Sequence, residues 1–172
     1  LLERVDDASV VQLYADGFSS LPLKQKALIW HLSQAAIAGR DIFIDQKHKD
    51  ALEMCGIIER IVANPQGVDA ATLAEVQRYT KLFWLDNGPY NNLTARKFVL
   101  ACTPAAFAAA ATAAGADTAA VARLQPMFFD PAVDPIGSER LQPQPGRVLD
   151  EAEVVGMVVL ARGAGQHVGE GE

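Results

Sequence analysis

Apolar residues return along this chain at helical rather than strand spacing, and Gly, Pro and capping residues cut the pattern into segments. Residues 6–15 carry Ala8, Val11, Leu13 and Tyr14 and predict a short first helix stopped by Gly17. Pro22 stands where a first helical residue would, behind Ser20 and Leu21. From there Leu23, Ala27, Leu28, Trp30, Leu32 and Ile37 trace a broad apolar face, and Gly39 is placed to close the helix with a positive φ. Asp45 can cap a third helix whose core side is Leu52, Cys55, Ile58, Ile61 and Val62, with Asn64-Pro65 ending it. Asp69 or Thr72 opens a fourth, through Leu73, Val76, Tyr79, Thr80, Phe83 and Trp84, closed by Asn87-Gly88. Thr103-Pro104 starts an alanine-rich run that Gly115 ends. Asp117 caps a further helix to Leu124, ended by Pro126.

Past Pro126 the texture changes. Pro131, Pro135, Pro143 and Pro145, with Gly137 and Gly146, describe an extended surface segment. The organisation read from the pattern is a helical domain over 1–125, a Pro/Gly-rich extended segment over 126–149, and a short apolar element with a Gly-rich tail over 150–172. In that last stretch Asp150 with Glu153 resembles a capping box and favours helix, whereas the run from Val154 to Leu160 is β-branched and favours strand. Helix is the reading taken. The expected fold class is mainly α with little β-structure. No repeat and no alternating strand series is present, which argues against a β-sandwich or a doubly wound sheet.

Composition sharpens this. Half of the 172 residues are hydrophobic, so the chain can bury a sizeable core and is not disordered for most of its length. With 15 Lys and Arg against 21 Asp and Glu, the net charge is −6. That sign argues against nucleic acid or an anionic membrane as the main partner and fits a cytoplasmic protein. No apolar run reaches the roughly 18–20 residues of a spanning helix, and no basic segment precedes an apolar one as in a signal peptide. Leu1 in place of an initiator Met, and a tail of Gly163, Gly165, Gly169 and Gly171, read as a fragment of something longer. Cys55 and Cys102 stand alone, with no CxxC pair, and read as reduced, buried small hydrophobes.

Candidate chemistry is sparse. His31 and His48 have no second ligand at helical spacing, and His167-x-x-Glu170 lies among glycines that oppose a rigid helix. There is no His-Glu-x-x-His, no Gly-x-Ser-x-Gly and no phosphate-binding loop. Two clusters rise above the background. Arg40, Asp41 and Asp45 sit between two expected helices, where charge-assisted hydrogen bonds would pin the junction. The stretch 84–93 sets Asn87, Gly88, Tyr90, Asn91, Asn92 and Leu93 directly after a helix. Such a loop can offer amide donors and acceptors and an aromatic face to a peptide; equally, it can be a plain loop of turn formers.

At these clusters the sequence resembles the N-terminal part of dipeptidyl peptidase III, the family of zinc exopeptidases that release dipeptides from peptide N-termini. The matching stretches are Gly17-Phe18, Leu21, Leu23 through Lys26, Ala35-Ala36, Gly39 through Ile42, Asp45-Gln46 and Leu52-Glu53. They continue with Phe83-Trp84, Asn87-Gly88, Tyr90 and Lys97 through Val99, with a weaker echo at Phe128 through Pro131. The resemblance covers roughly residues 14–135. It departs from the family at Leu93, where an aromatic is frequent, at Leu100, where a Pro is, and at Cys55, where a basic residue is; after about 143 the pattern is not followed.

The resemblance implies a multi-helix fragment of the lower, α+β lobe of a two-lobed peptidase. In the whole enzyme, zinc polarises the peptide carbonyl and a Glu is the general base, on helices far C-terminal of this region. It also implies that Asn92 and Leu93 line the cleft at the substrate's N-terminal end, with Asn87, Gly88, Tyr90 and Asn91 beside them. The chain alone is then expected to hold no metal and to be inactive. Its partners would be the remainder of the peptidase and, in the whole protein, a peptide. Self-association would run through an apolar face left open where the missing parts dock. The alternative is a stand-alone helical interaction module without catalytic activity. The loop over 87–93 is expected to be exposed and to face a concave surface.

Overall fold

The computed structural model describes residues 1–135. The apolar stretch at 150–160, His167 and most of the expected Pro/Gly-rich segment lie outside the described residues.

Where a helix over 6–15 is expected, the chain makes a hairpin. Strands β1 (Glu3–Val5) and β2 (Ala8–Val10) pair antiparallel, with Glu3 opposite Val10 and Val5 opposite Ala8. Asp6 turns the chain at φ 53°. A short polar side chain tolerates that left-handed conformation, and the two-residue loop Asp6-Asp7 fixes the register. The helical spacing of Ala8 and Val11 is coincidental. A 3-10 turn, Asp16–Ser20, follows.

Helix α1 (Leu23–Ala38) begins one residue later than expected, with Pro22 as its N-cap. Gly39 does not adopt positive φ; at φ −86° it lets the chain pass almost directly into α2 (Arg40–Lys47). What Gly39 provides is room, since a Cβ there would lie 3.3 Å from the Ala35 carbonyl oxygen. The expected apolar face of α1 is not a core face: no residue of this helix is buried. Asp45 is inside α2 and caps nothing. His48, in an extended conformation, breaks the helix, and α3 (Ala51–Ala63) starts behind Asp50.

From here expectation and structure converge. The buried side of α3 includes Met54, Cys55, Ile57, Ile58 and Ile61, although Leu52 faces outward. Helix α4 (Ala70–Asp86) is capped by Asp69, whose Oδ1 accepts the Thr72 N–H at 2.9 Å. It closes on Asn87 at φ 53°. Helix α5 (Pro104–Ala113) has Thr103 as its cap and Gly115 at φ 73° behind it. Helix α6 (Thr118–Phe129) is capped by Asp117 and runs through Pro126 instead of ending there. The hydrogen bond lost at Pro126 belongs to the carbonyl of Ala122, an exposed residue, while Met127 and Phe128 are buried and hold the last turn in place.

The architecture is thus mainly α, with α3 packed against α4 and α5 against α6. Tyr79, Phe83, Phe107 and Phe128, all fully buried, sit where these helices meet. Cys55 is buried, and burial, reinforced by Glu59, pushes its thiol up to about 12. Cys102 is only half-buried, because it precedes α5 on an open loop; both thiols are free. No helix among the described residues is long and apolar enough to cross a membrane.

Candidate functional site

The loop after α4 is built by backbone first. Gly88 N–H returns to the Phe83 carbonyl at 2.9 Å, and Phe98 N–H reaches Pro89 O at 2.8 Å. Tyr90 and Lys97 form an antiparallel bridge, inside which Asn91 N–H donates to Arg96 O at 2.9 Å. Gly88 is required by close approach, since a Cβ there would stand 3.0 Å from Cβ of Lys47. The C-terminal end of α2 therefore lies against the loop.

This construction divides the expected site residues. Gly88 and Tyr90 are buried, not exposed, and Tyr90 Oη donates to the Asp134 carbonyl at 2.5 Å. Burial raises the Tyr90 phenol above its ordinary range. Asn87 is half-buried at the helix end. Asn91 satisfies its own turn: its Oδ1 accepts from Leu93 N at 3.0 Å, Thr94 N at 2.9 Å and Thr94 Oγ1 at 3.0 Å. Asn92 and Leu93 alone of the six stand out from the surface, Leu93 at 82% exposure. The loop is thus an outer rim on a packed base. Its inner residues were expected outside because their polar types are those of turns; the bridge to 97–98 that buries them leaves no local trace in sequence.

Two residues outside the expected set hold the rim. Asn92 N–H donates to Asp86 Oδ1 at 2.8 Å, and Lys47 Nζ donates to Asn92 Oδ1. Lys47 is 45 positions from Asn92, so spacing could not reveal the pair. Asp86 is buried, and desolvation raises its carboxyl above the ordinary 3.8 despite the Asn92 N–H and the Lys47 charge. The folded state therefore holds this proton more tightly than the unfolded chain. Stability falls as pH rises from 3.8 through the raised value, and that loss persists at neutrality. Asp86→Asn keeps an acceptor for Asn92 N–H and removes the charge. It should be more stable than the parent at pH 7 and equal to it in acid, which urea titrations at the two pH values would show.

The other cluster rearranges. Arg40 pairs with Asp41 at 3.3 Å and reaches Glu59 on α3 at 3.7 Å. Asp45 forms no ion pair among the described residues. The junction is tied by Glu59 in its place, since the segment is itself helical and Asp45, five residues after Arg40, lies beyond the reach of an i,i+4 pair. His48 is hydrogen-bonded to Asp134 at 3.3 Å and lies near Asp50. An open cleft of about 380 Å³ lies between the starts of α4 and α5, lined by Asp69, Thr72, Glu75, Cys102 and Thr103. Its carboxylates are already engaged, Asp69 by Thr72 N–H and Glu75 by Arg78 and Ala101 N–H.

Among the described residues no group of three or more His, Cys, Asp or Glu side chains converges as a metal site. No family model matches this chain, and no curated protein does.

Proposed function

We propose that this chain is the N-terminal, non-catalytic portion of a dipeptidyl peptidase III-like zinc exopeptidase, part of its lower lobe, supplying cleft wall and substrate positioning. The reading rests on the ordered matches between Gly17 and Val99, and its site on the rim at Asn92 and Leu93. The observation that carries the site is the rim's rigidity. Asn92 is held from both sides by Asp86 and Lys47, so the ordering of this loop is already accomplished before a peptide arrives. A substrate's N-terminal end needs an oxygen acceptor at a fixed position, and Asn92 Oδ1, on the exposed rim, supplies that class of group.

In the full-length enzyme, Asn92→Ala should raise KM several-fold and change kcat less, because a positioning contact is made in ground and transition states alike. One such hydrogen bond is worth about 1 kcal/mol. Unchanged kinetics for both Asn92→Ala and Leu93→Ala, with the fold intact, would remove the rim from the site. The family reading itself is tested by reading the gene downstream for an in-frame His-Glu-x-x-Gly-His. Its absence would favour the second reading, a helical interaction module, to which the wholly unburied α1 lends support.

A further inference from the structure

The chain leaving α6 is fastened over 130–134 to two places far from it in sequence. One is the base of the rim. Tyr90 and Lys97 stand opposite each other in its antiparallel bridge, and both reach the segment. Tyr90 Oη donates to Asp134 O at 2.5 Å, and Lys97 Nζ donates to Asp130 O at 2.9 Å and Val133 O at 2.6 Å. The other place is the end of α2, where Lys47 holds Asn92 of the rim and its neighbour His48 holds the Asp134 side chain at 3.3 Å. His48 Nδ1 accepts the Asp50 N–H at 3.1 Å, so a neutral ring carries its proton on Nε2 and is the donor to Asp134. Rim, α2 end and segment thus close on one another, each bonded to the other two.

Asp134 is held against its backbone preference. Its φ is 44°, a left-handed conformation that Asp tolerates better than most side chains. Pro135 follows, and a proline ring disfavours helical backbone in the residue before it, driving that residue toward the extended region. Such a conformation persists only while its surroundings over-determine it. At Asp134 they do so through two bonds, Tyr90 to its carbonyl and His48 to its carboxylate, on a side chain that is 55% exposed. We infer that 130–134 is a strap with a closed and an open position, and that the rim loses order when the strap opens. The coupling runs through Tyr90 and Lys97, so a contact or pull that moves Pro135 is felt at Asn91 and Asn92. The strap stands on this geometry; its use as a control on peptide positioning rests on the peptidase reading.

Amide hydrogen exchange on the 172-residue chain tests it. The reporters are Asn91 N–H, bonded to Arg96 O, and Asn92 N–H, bonded to Asp86. Phe107 N–H on α5, bonded to Thr103 O, is the reference. Asp134→Ala removes the His48 contact and adds the left-handed penalty of a residue with a Cβ and no polar tip. It should speed the reporters by about tenfold relative to Phe107. Asp134→Asn keeps the acceptor and the tolerance of left-handed backbone, and should exchange like the parent. Tyr90→Phe leaves the ring and the bridge backbone in place, and should speed the same two amides through the loss of one hydroxyl. Reporters that do not respond to either Asp134→Ala or Tyr90→Phe overturn the strap. So does a rise shared equally by Phe107, or an Asn variant as fast as the Ala one. Should Asp134→Ala fail to fold, Tyr90→Phe decides by the same criterion. Rim amides that respond while Asn92→Ala leaves the kinetics of the full-length enzyme unchanged would keep the strap and remove only the peptidase reading.

Discussion

Phe128→Ala should cost about 3–5 kcal/mol, a large part of what holds a domain of this size together. The side chain is fully buried, its ring centroid 4.8 Å from that of Phe107 on α5 and 5.8 Å from that of Tyr79 on α4. Removing it takes away a transfer term and leaves a void between three helices that their other buried contacts hold in place. One effect works the other way. The Tyr79 hydroxyl is buried without a hydrogen-bond partner among the described residues, and a void beside it could admit a water, which would return part of the loss. Phe128→Leu, which preserves most of the volume, should cost less than about 1.5 kcal/mol. Urea unfolding of both variants checks this. The midpoint should fall steeply for Ala and slightly for Leu, with the slope unchanged. Equal, small shifts would mean that the cluster does not organise the core.

The contrast between the two halves of the described chain explains what sequence could reveal. Helices α4, α5 and α6 were legible because each starts with a side chain that accepts from its own first turn: Asp69, Thr103 and Asp117. Such signals are local, and so is the left-handed stop at Asn87. The first 47 residues carry weaker ones. Val5-Asp6-Asp7-Ala8 is a hairpin turn whose local signal is masked by an accidental helical spacing. Its stability comes from elsewhere: Lys81 holds Glu3, and Arg78 holds Asp6 at 2.6 Å while also gripping Glu75 and the Val99 carbonyl. Gly39 is ambiguous in sequence because glycine serves both positive φ and close approach, and only the position of the Ala35 carbonyl decides between them. Helix α1 shows the opposite limit. Its apolar residues predicted burial, and in this chain nothing supplies it among the described residues. At the candidate site the polar residue types were legible in sequence, while their division into base and rim depended on Lys47, Lys97 and Asp134, all distant in sequence.

Lys97 is the buried counterpart of that rim, and its loss should be the second large effect. It is 7% exposed, and its ammonium donates to the carbonyls of Asp130 at 2.9 Å and Val133 at 2.6 Å, just past the end of α6. A cation there meets the negative end of the helix dipole and ties the segment 130–134 to the strand-like bridge at Tyr90. Lys97→Ala leaves the two carbonyls without a donor and empties the space the stem filled, at about 3 kcal/mol. Lys97→Met restores the stem and not the donor, so it should recover part of that. The pH dependence separates charge from packing. Desolvation lowers the Lys97 pKa below the ordinary 10.5, with Asp134 and Asp130 opposing it. Between the lowered value and 10.5 the unfolded chain binds more protons than the folded one, so this group makes stability rise with pH across that window. The gap between parent and Lys97→Met should therefore be flat at neutral pH and widen as the alkaline window is entered. A gap that narrows there would show that the ammonium's charge, more than the two hydrogen bonds its nitrogen donates, is what holds the segment down.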